Sequence, residues 1–98
     1  MSLRGEPVEL TATLPDGREA RVFVGVPEDP YIPRRELDTV DVEIALDGRV
    51  AAAVNTILEP EQDHEARLLA REIVAGLESG DLEPTAAAIE PYADRLPS

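Results

Sequence analysis

Apolar and polar residues alternate along two segments in the first half of the chain, and this is the period of half-buried β-strands. In segment 8–14, VELTATL, the apolar positions are Val8, Leu10, Ala12 and Leu14. Segment 19–26, EARVFVGV, follows a Pro-Asp-Gly sequence that suits a tight turn. A three-residue loop would pair Leu10 with Val22 and Val8 with Val24, so that apolar side chains face each other. The pattern predicts an antiparallel β-hairpin.

A second hairpin is predicted over segments 39–45 and 49–58, which flank Asp47-Gly48. If Asp47 and Gly48 formed a two-residue turn, Val50 and Val54 would share a face with the acidic residues of the preceding strand. A three-residue loop over residues 46–48, with Gly48 left-handed at a bulge, avoids this placement. We therefore predict the three-residue loop, with valines facing the core. The cross-strand pairs would be Ile44 with Val50, Val42 with Ala52, and Val40 with Val54.

Segment 27–38 joins the two hairpins and contains three evenly spaced prolines, Pro27, Pro30 and Pro33. Proline at this spacing excludes both a helix and a regular strand ladder, so we predict an extended crossing loop. Tyr31, Arg34 and Arg35 form a candidate binding site in this loop, where the arginines would receive an anionic group. In the alternative interpretation, Tyr31 and Ile32 plug the edge of the core, and the arginines pair with neighbouring carboxylates in solvent.

The second half of the chain predicts two helices, over residues 60–79 and 84–96. Pro60 suits a first helical position, and Gly80 suits a left-handed cap after the last one. The apolar positions of the first helix form one stripe: Ala66, Leu69, Ala70, Ile73 and Leu77. The second helix should kink or divide near Pro91. Its predicted inner side consists of Leu82, Ala86, Ile89, Ala93 and Leu96.

Together these elements predict a two-layer α+β fold. Its mainly antiparallel four-stranded sheet is built from two β-hairpins, and the C-terminal helices pack on one face of the sheet. A chain of 98 residues has room for one core, so we expect a single domain over residues 1–98. The aromatic residues are Phe23, Tyr31 and Tyr92 alone, and the core must therefore be aliphatic.

The chain carries 21 acidic and 9 basic residues, which give a net charge of -12. Such a chain repels nucleic acid, because nucleic-acid binding depends on basic patches. All basic residues are arginine; GC-rich coding explains this bias, with salt adaptation and nucleic-acid mimicry as alternatives. The sequence contains no cysteine, no signal-peptide pattern at its start and no run of apolar residues that could cross a membrane. We expect a cytoplasmic protein without nucleic-acid or membrane partners.

The single histidine, His64, follows Glu61 at the spacing with which carboxylate-bridged metal bundles present two ligands from one helix. Those bundles need further ligands that one chain does not supply, and both side chains fall on the outward face of the predicted helix. We therefore interpret His64 as solvated surface and expect no metal or other cofactor. Serine occurs only at Ser2, Ser79 and Ser98, which leaves no nucleophile on a rigid element.

The predicted register leaves four residues of the fourth strand on the sheet face that points away from the helices: Ala51, Ala53, Asn55 and Ile57. Exposed strand faces normally carry charged or polar residues there. Phe23, with Ala45 beside it, would extend the apolar area. We predict that this surface forms a homodimer interface, because small oligomers are most often two-fold symmetric. In the alternative, the C-terminal segment or the proline-rich loop covers the face within one chain.

These patterns favour a non-enzymatic protein–protein interaction or regulatory module, whose partner is another protein or a second copy of the chain. The alternative is a small-molecule binding protein for an anionic ligand, or a minor enzyme, that uses loop 27–38. A deep pocket lined by Tyr31, Arg34 and Arg35 would favour the alternative, whereas a flat symmetric contact would favour the interaction module.

Overall fold

The computed structural model describes Leu3 and residues 6–27, 31–32 and 39–94. Four antiparallel strands form one sheet in the order β1-β2-β3-β4. The helix α1 packs against β1 and β2, and α2 packs against β4. The predicted α+β fold is therefore confirmed. The elements are β1 (Val8–Thr13), β2 (Glu19–Gly25), β3 (Asp41–Leu46), β4 (Arg49–Asn55), α1 (Asp63–Ser79) and α2 (Ala86–Ala93).

The first hairpin has the predicted register, with Val8 opposite Val24. Its turn closes when the Gly17 N–H donates to the Leu14 carbonyl at 2.9 Å and the Leu14 N–H donates to the Arg18 carbonyl at 2.8 Å. Gly17 has φ 92°, a left-handed conformation that glycine adopts without a steric penalty. The predicted three-residue loop of this hairpin is confirmed.

The turn of the second hairpin differs from the prediction, and the three-residue loop expected there is wrong. Asp47 and Gly48 both have left-handed backbone angles, with φ of 51° and 79°. The strands close with Leu46 opposite Arg49, so only two residues lie between them. Positive φ at both central positions defines a type I′ turn, whose twist matches that of the flanking strands and which Asp-Gly favours.

A β-bulge in β4 then reverses the sheet face on which the side chains after the bulge lie, relative to the faces that a two-residue turn alone would give them. Ala45 lies opposite Val50 and Ile44 lies opposite Ala52, so Ala51 is an extra residue without a cross-strand partner. Because side chains alternate between the two faces of a strand, one extra residue moves each later side chain to the opposite face of the sheet. Ala52 is therefore buried, as predicted, whereas Val50 is 60% exposed and its predicted place in the core is wrong.

Helix α1 begins at Asp63 rather than at Pro60. Pro60 is fully buried, and its carbonyl accepts the Leu3 N–H at 2.8 Å, which ties the segment before α1 to the N-terminal part of the chain. Gly80 ends the helix in the predicted left-handed conformation, with φ 84°. The buried side of α1 is the predicted stripe: Ala66, Leu69, Ala70, Ile73 and Leu77.

Helix α2 starts after Thr85, whose hydroxyl accepts the Ala88 N–H at 3.3 Å. It continues through Pro91 as one helix to Ala93. Ala86 is exposed, so its predicted place on the inner side is wrong, because it lies in the first turn just after the cap. Leu96 lies outside the described residues.

The core lies between the helices and one face of the sheet. Among the residues that the structure describes, the buried side chains are apolar and none is polar or charged. Val22 and Ile44 from the sheet and Leu69 and Ile73 from α1 have no exposed surface. Each such side chain contributes about 1.5–3 kcal/mol when it is removed from water. The second face of the sheet, which we call the outer sheet face, carries none of these residues. Within the described ranges, neither helix has the length and apolarity needed to cross a membrane.

Candidate functional site

Residues directly opposite each other on neighbouring strands project to the same side of a sheet, so the outer sheet face is organised in rows. One row contains Glu9, Phe23, Glu43 and Ala53. The next row contains Thr11, Arg21, Ala45 and Val50. Both rows end in an apolar side chain at β4, while most of the other positions are charged or polar.

The β4 end of the outer sheet face forms an exposed surface that we call the β4 patch: Val50, Ala51, Ala53, Asn55 and Ile57. Val50 is 60% exposed and Ile57 is 55% exposed. The three smaller residues are exposed as well. Segment 48–58 contains no acidic residue, although the chain has 21. The five residues of the β4 patch are therefore uncharged, although Glu43 lies opposite Ala53 and Asp41 lies opposite Asn55.

Val50 is the member of the β4 patch that sequence reasoning missed. Its neighbour Ala45 places it on the outer sheet face, because the two lie opposite each other. The signal was present in Asp47-Gly48, which is among the strongest indicators of a two-residue type I′ turn. The bulge at Ala51 has no comparable signature, and without it the two-residue turn would have placed the apolar residues of β4 incorrectly.

Strand β4 is an edge of the sheet. The Thr56 N–H donates to the Val40 carbonyl at 2.9 Å. In an antiparallel ladder, residues alternate between bonding to the neighbouring strand and pointing away from it. Ala53 and Asn55 therefore direct their backbone N–H and C=O groups away from β3, toward the edge. No described residue accepts a hydrogen bond from either N–H, so the edge is open at these two positions.

Two contacts fix the end of β4. The Ile57 N–H donates to the Ala93 carbonyl at 3.4 Å, so the last turn of α2 closes the edge beyond Asn55. The Asn55 side-chain amide donates to the Asp41 carboxylate at 2.5 Å. Burial raises the pKa of Asp41 above its ordinary value of 3.8, although the hydrogen bond from Asn55 opposes this effect. Asn55 is thus held by its side chain while its backbone faces outward.

Phe23 belongs to the outer sheet face but lies apart from the β4 patch. It is half-buried, and its row neighbours are Glu9 on β1 and Glu43 on β3. A Cβ atom built on Gly25 would lie 3.0 Å from the tip of the Phe23 ring, so the ring extends over this glycine. Glu43 separates Phe23 from Ala53 in the same row. Ala45, which the sequence placed beside Phe23, lies opposite Val50 of the β4 patch.

The second predicted site, in loop 27–38, lies largely outside the described residues. Arg34 and Arg35 fall there, so the predicted anion site is not described by the structure. Tyr31 is 93% exposed and Ile32 is 42% exposed. The interpretation in which these two side chains plug the edge of the core is therefore wrong.

His64 lies at the start of α1 with an exposed side chain. Within the described ranges, no group of three or more histidine, cysteine, aspartate or glutamate side chains is arranged to hold a metal ion. The Ser79 hydroxyl lies 3.1 Å from the Gly76 carbonyl at the other end of α1. The helix rise of about 1.5 Å per residue separates His64 from Ser79 by roughly 22 Å. These two residues cannot act as a nucleophile and its base within one chain.

Comparison with protein-family models, with curated proteins and with solved structures found no match to the chain.

Proposed function

We propose that the chain is a small, acidic, non-enzymatic protein–protein interaction module that self-associates as a homodimer through the β4 patch. The observation that carries the proposal is the exposure of Val50 and Ile57, at 60% and 55%, beside small residues on an outer sheet face. Exposed apolar surface on a soluble domain marks an interaction site when it is clustered in this way.

The open edge of β4 also supports the β4 patch as the dimer interface. Unpaired N–H and C=O groups at a sheet edge are a template for pairing with another chain, and many proteins protect such edges with charged residues or proline. From Val50 to Asn55 the strand has neither. The outward-facing groups of Ala53 and Asn55 would bond to a second chain that approached along this edge.

The distribution of acidic residues also favours the β4 patch as the surface through which two copies of the chain would meet. A homodimer brings identical surfaces together, so acidic residues in the contact would face acidic residues. Segment 48–58 is the longest stretch of the sequence without aspartate or glutamate. At a net charge of -12 per chain, contact through this segment brings no acidic side chain of β4 against its own copy.

The test compares the mass of the chain in solution with that of two single variants. Ala53→Arg places a charge in the centre of the β4 patch, where an unpaired buried charge is strongly unfavourable. Ala75→Arg makes the same change at an exposed position of α1, away from the sheet. We expect light scattering to give a dimer for the wild type and for Ala75→Arg, and a monomer for Ala53→Arg. A monomeric wild type, or a dimeric Ala53→Arg variant, would overturn the proposal.

A further inference from the structure

The opposite edge of the sheet, at β1, borders a cleft between the sheet and α1. The cleft has a volume of about 310 Å³. Strand β1 forms one wall and α1 forms the other, so the cleft follows an exposed strand edge. Its lining includes Glu6, Val8 and Leu10 on the side of the strand and Asp63, Arg67 and Arg71 on the side of the helix. Because the β4 patch lies at the other edge of the sheet, a dimer formed through that patch would leave this cleft accessible.

The backbone of β1 presents hydrogen-bonding groups along the strand edge that borders this cleft. The Leu14 N–H donates to the carbonyl of Arg18, the residue just before β2. By the alternation of an antiparallel ladder, the backbone N–H and C=O groups of Glu9, Thr11 and Thr13 therefore point away from β2. The Thr13 N–H lies 3.4 Å from the Glu78 carboxylate of α1, which closes one end of the edge. For the N–H groups of Glu9 and Thr11, the described part of the chain provides no acceptor. An extended segment laid along this edge would add a strand to the sheet.

The α1 wall places two arginines, Arg67 and Arg71, one helical turn apart in the cleft. Arg67 lies 3.7 Å from the Asp63 carboxylate. Arg71 has no ion-pair partner among the described residues. A guanidinium group binds a carboxylate through two parallel hydrogen bonds, and this geometry is specific for planar acidic groups. A carboxylate is thus the group that Arg71 would bind most favourably.

The remaining charges of the cleft limit the number of acidic groups that an occupant can carry. The carboxylates of Glu6 and Asp63 line the same cleft, and the chain as a whole has a net charge of -12. An occupant with several acidic residues would be repelled by these carboxylates. The complementary segment has one acidic side chain directed at α1 and neutral residues on either side.

We propose that the β1–α1 cleft binds an extended peptide segment of another protein, which adds a strand to β1 and places one carboxylate against Arg71. The backbone of Glu9 and Thr11 supplies affinity that does not depend on the peptide sequence. Arg71 selects segments that carry an acidic side chain at the position facing the helix.

The experiment uses three capped pentapeptides and the isotope-labelled full chain, with amide shifts followed by NMR in about 0.15 M salt, where long-range repulsion is screened. The first probe is acetyl-Thr-Val-Asp-Val-Thr-amide. The second replaces Asp with Asn, and the third keeps Asp but carries N-methyl groups on the two valines. The protein variants are Arg71→Gln and, as a control with the same loss of charge, Arg49→Gln at the exposed start of β4.

We expect the Asp probe to cause saturable shifts at Glu9, Thr11 and Arg71. The Asn probe, and the Asp probe with Arg71→Gln, should bind about twofold to fivefold more weakly, as the loss of an exposed ion pair implies. The N-methylated probe should not bind, and Arg49→Gln should leave the affinity unchanged. The proposal is overturned if the Asp probe causes no saturable shifts along β1. It is also overturned if the three probes bind equally, or if the two arginine variants weaken binding to the same extent.

Discussion

Gly76 lies within α1, where alanine would ordinarily make a more stable helix, yet the structure predicts that Gly76→Ala destabilises the protein. A Cβ atom at this position would lie 2.8 Å from the Leu82 Cβ atom and 3.3 Å from Leu82 Cδ2. Favourable carbon–carbon contacts occur at about 3.5–4.0 Å. The Leu82 Cβ is attached directly to the backbone, and the Leu82 N–H donates to the Gly76 carbonyl at 3.0 Å. Rotation of the side chain therefore cannot relieve the clash.

Two opposing effects determine how much Gly76→Ala changes the free energy of unfolding. Alanine gains about 1 kcal/mol over glycine in a helix interior. Overpacking in a well-packed region costs about 1–3 kcal/mol. We expect the second effect to prevail because Leu82 is 5% exposed and part of the core. The expected net loss is about 1 kcal/mol, which lowers the Tm of a domain of this size by about 4–8 °C.

Ala75→Gly is the matched control for this prediction, because position 75 is exposed on the same helix and reports the helix preference alone. Chemical denaturation or calorimetry of the wild type and of both variants measures the two effects separately. If Gly76→Ala raised stability by as much as Ala75→Gly lowers it, the close approach of Leu82 to α1 would not exist, and the predicted steric clash would be refuted.

Three further predictions concern charge. Stability should rise as salt increases from low ionic strength to about 1 M, because screening reduces the self-repulsion of a chain with net charge -12; denaturation midpoints that do not change with salt would contradict this. His64→Ala should cost less than about 0.5 kcal/mol, as exposed substitutions usually do, and Zn²⁺, Fe²⁺ or Mn²⁺ should leave the Tm unchanged; a metal-dependent rise in Tm that the variant loses would contradict it. Burial raises the pKa of Asp41 in the folded state, so the protonated carboxyl favours folding. The contribution of this group to the free energy of unfolding is therefore full below pH 3.8, and it declines as the pH rises through the higher pKa of the folded state. Asp41→Asn should remove that decline from denaturation curves measured across this pH range, and an identical decline in the variant would contradict the assignment.

The parts of the fold that the sequence predicted correctly depend on local patterns. Alternation in β1 and β2, joined by a Pro-Asp-Gly turn, determines the first register, and the apolar stripe of α1 determines which side of the helix is buried. The start of α1 could not be predicted in this way. Pro60 lies outside the helix, and its carbonyl accepts the Leu3 N–H, a contact between residues that are far apart in the sequence.

The exposed residues of the β4 patch were predicted in part, because local alternation indicates which side chains of a regular strand face away from the core. The pattern placed Ala51, Ala53, Asn55 and Ile57 away from the core, and all four are exposed. It placed Val50 in the core because strict alternation describes only a regular ladder. A β-bulge changes the side-chain phase without any requirement for glycine or proline, so the alternation of residue types does not reveal it.

The most direct test of the proposed homodimer is amide hydrogen exchange measured on the full chain at a series of protein concentrations. The N–H groups of Ala53 and Asn55 point to the open edge of β4, so they should exchange rapidly in dilute samples. They should become protected as the concentration rises, whereas the N–H of Thr11 on the opposite edge should not change. In Ala53→Arg, the N–H of Asn55 should exchange rapidly at every concentration. Exchange at Ala53 and Asn55 that does not depend on concentration, or protection that develops at another surface, would contradict the assignment of the β4 patch as the dimer interface.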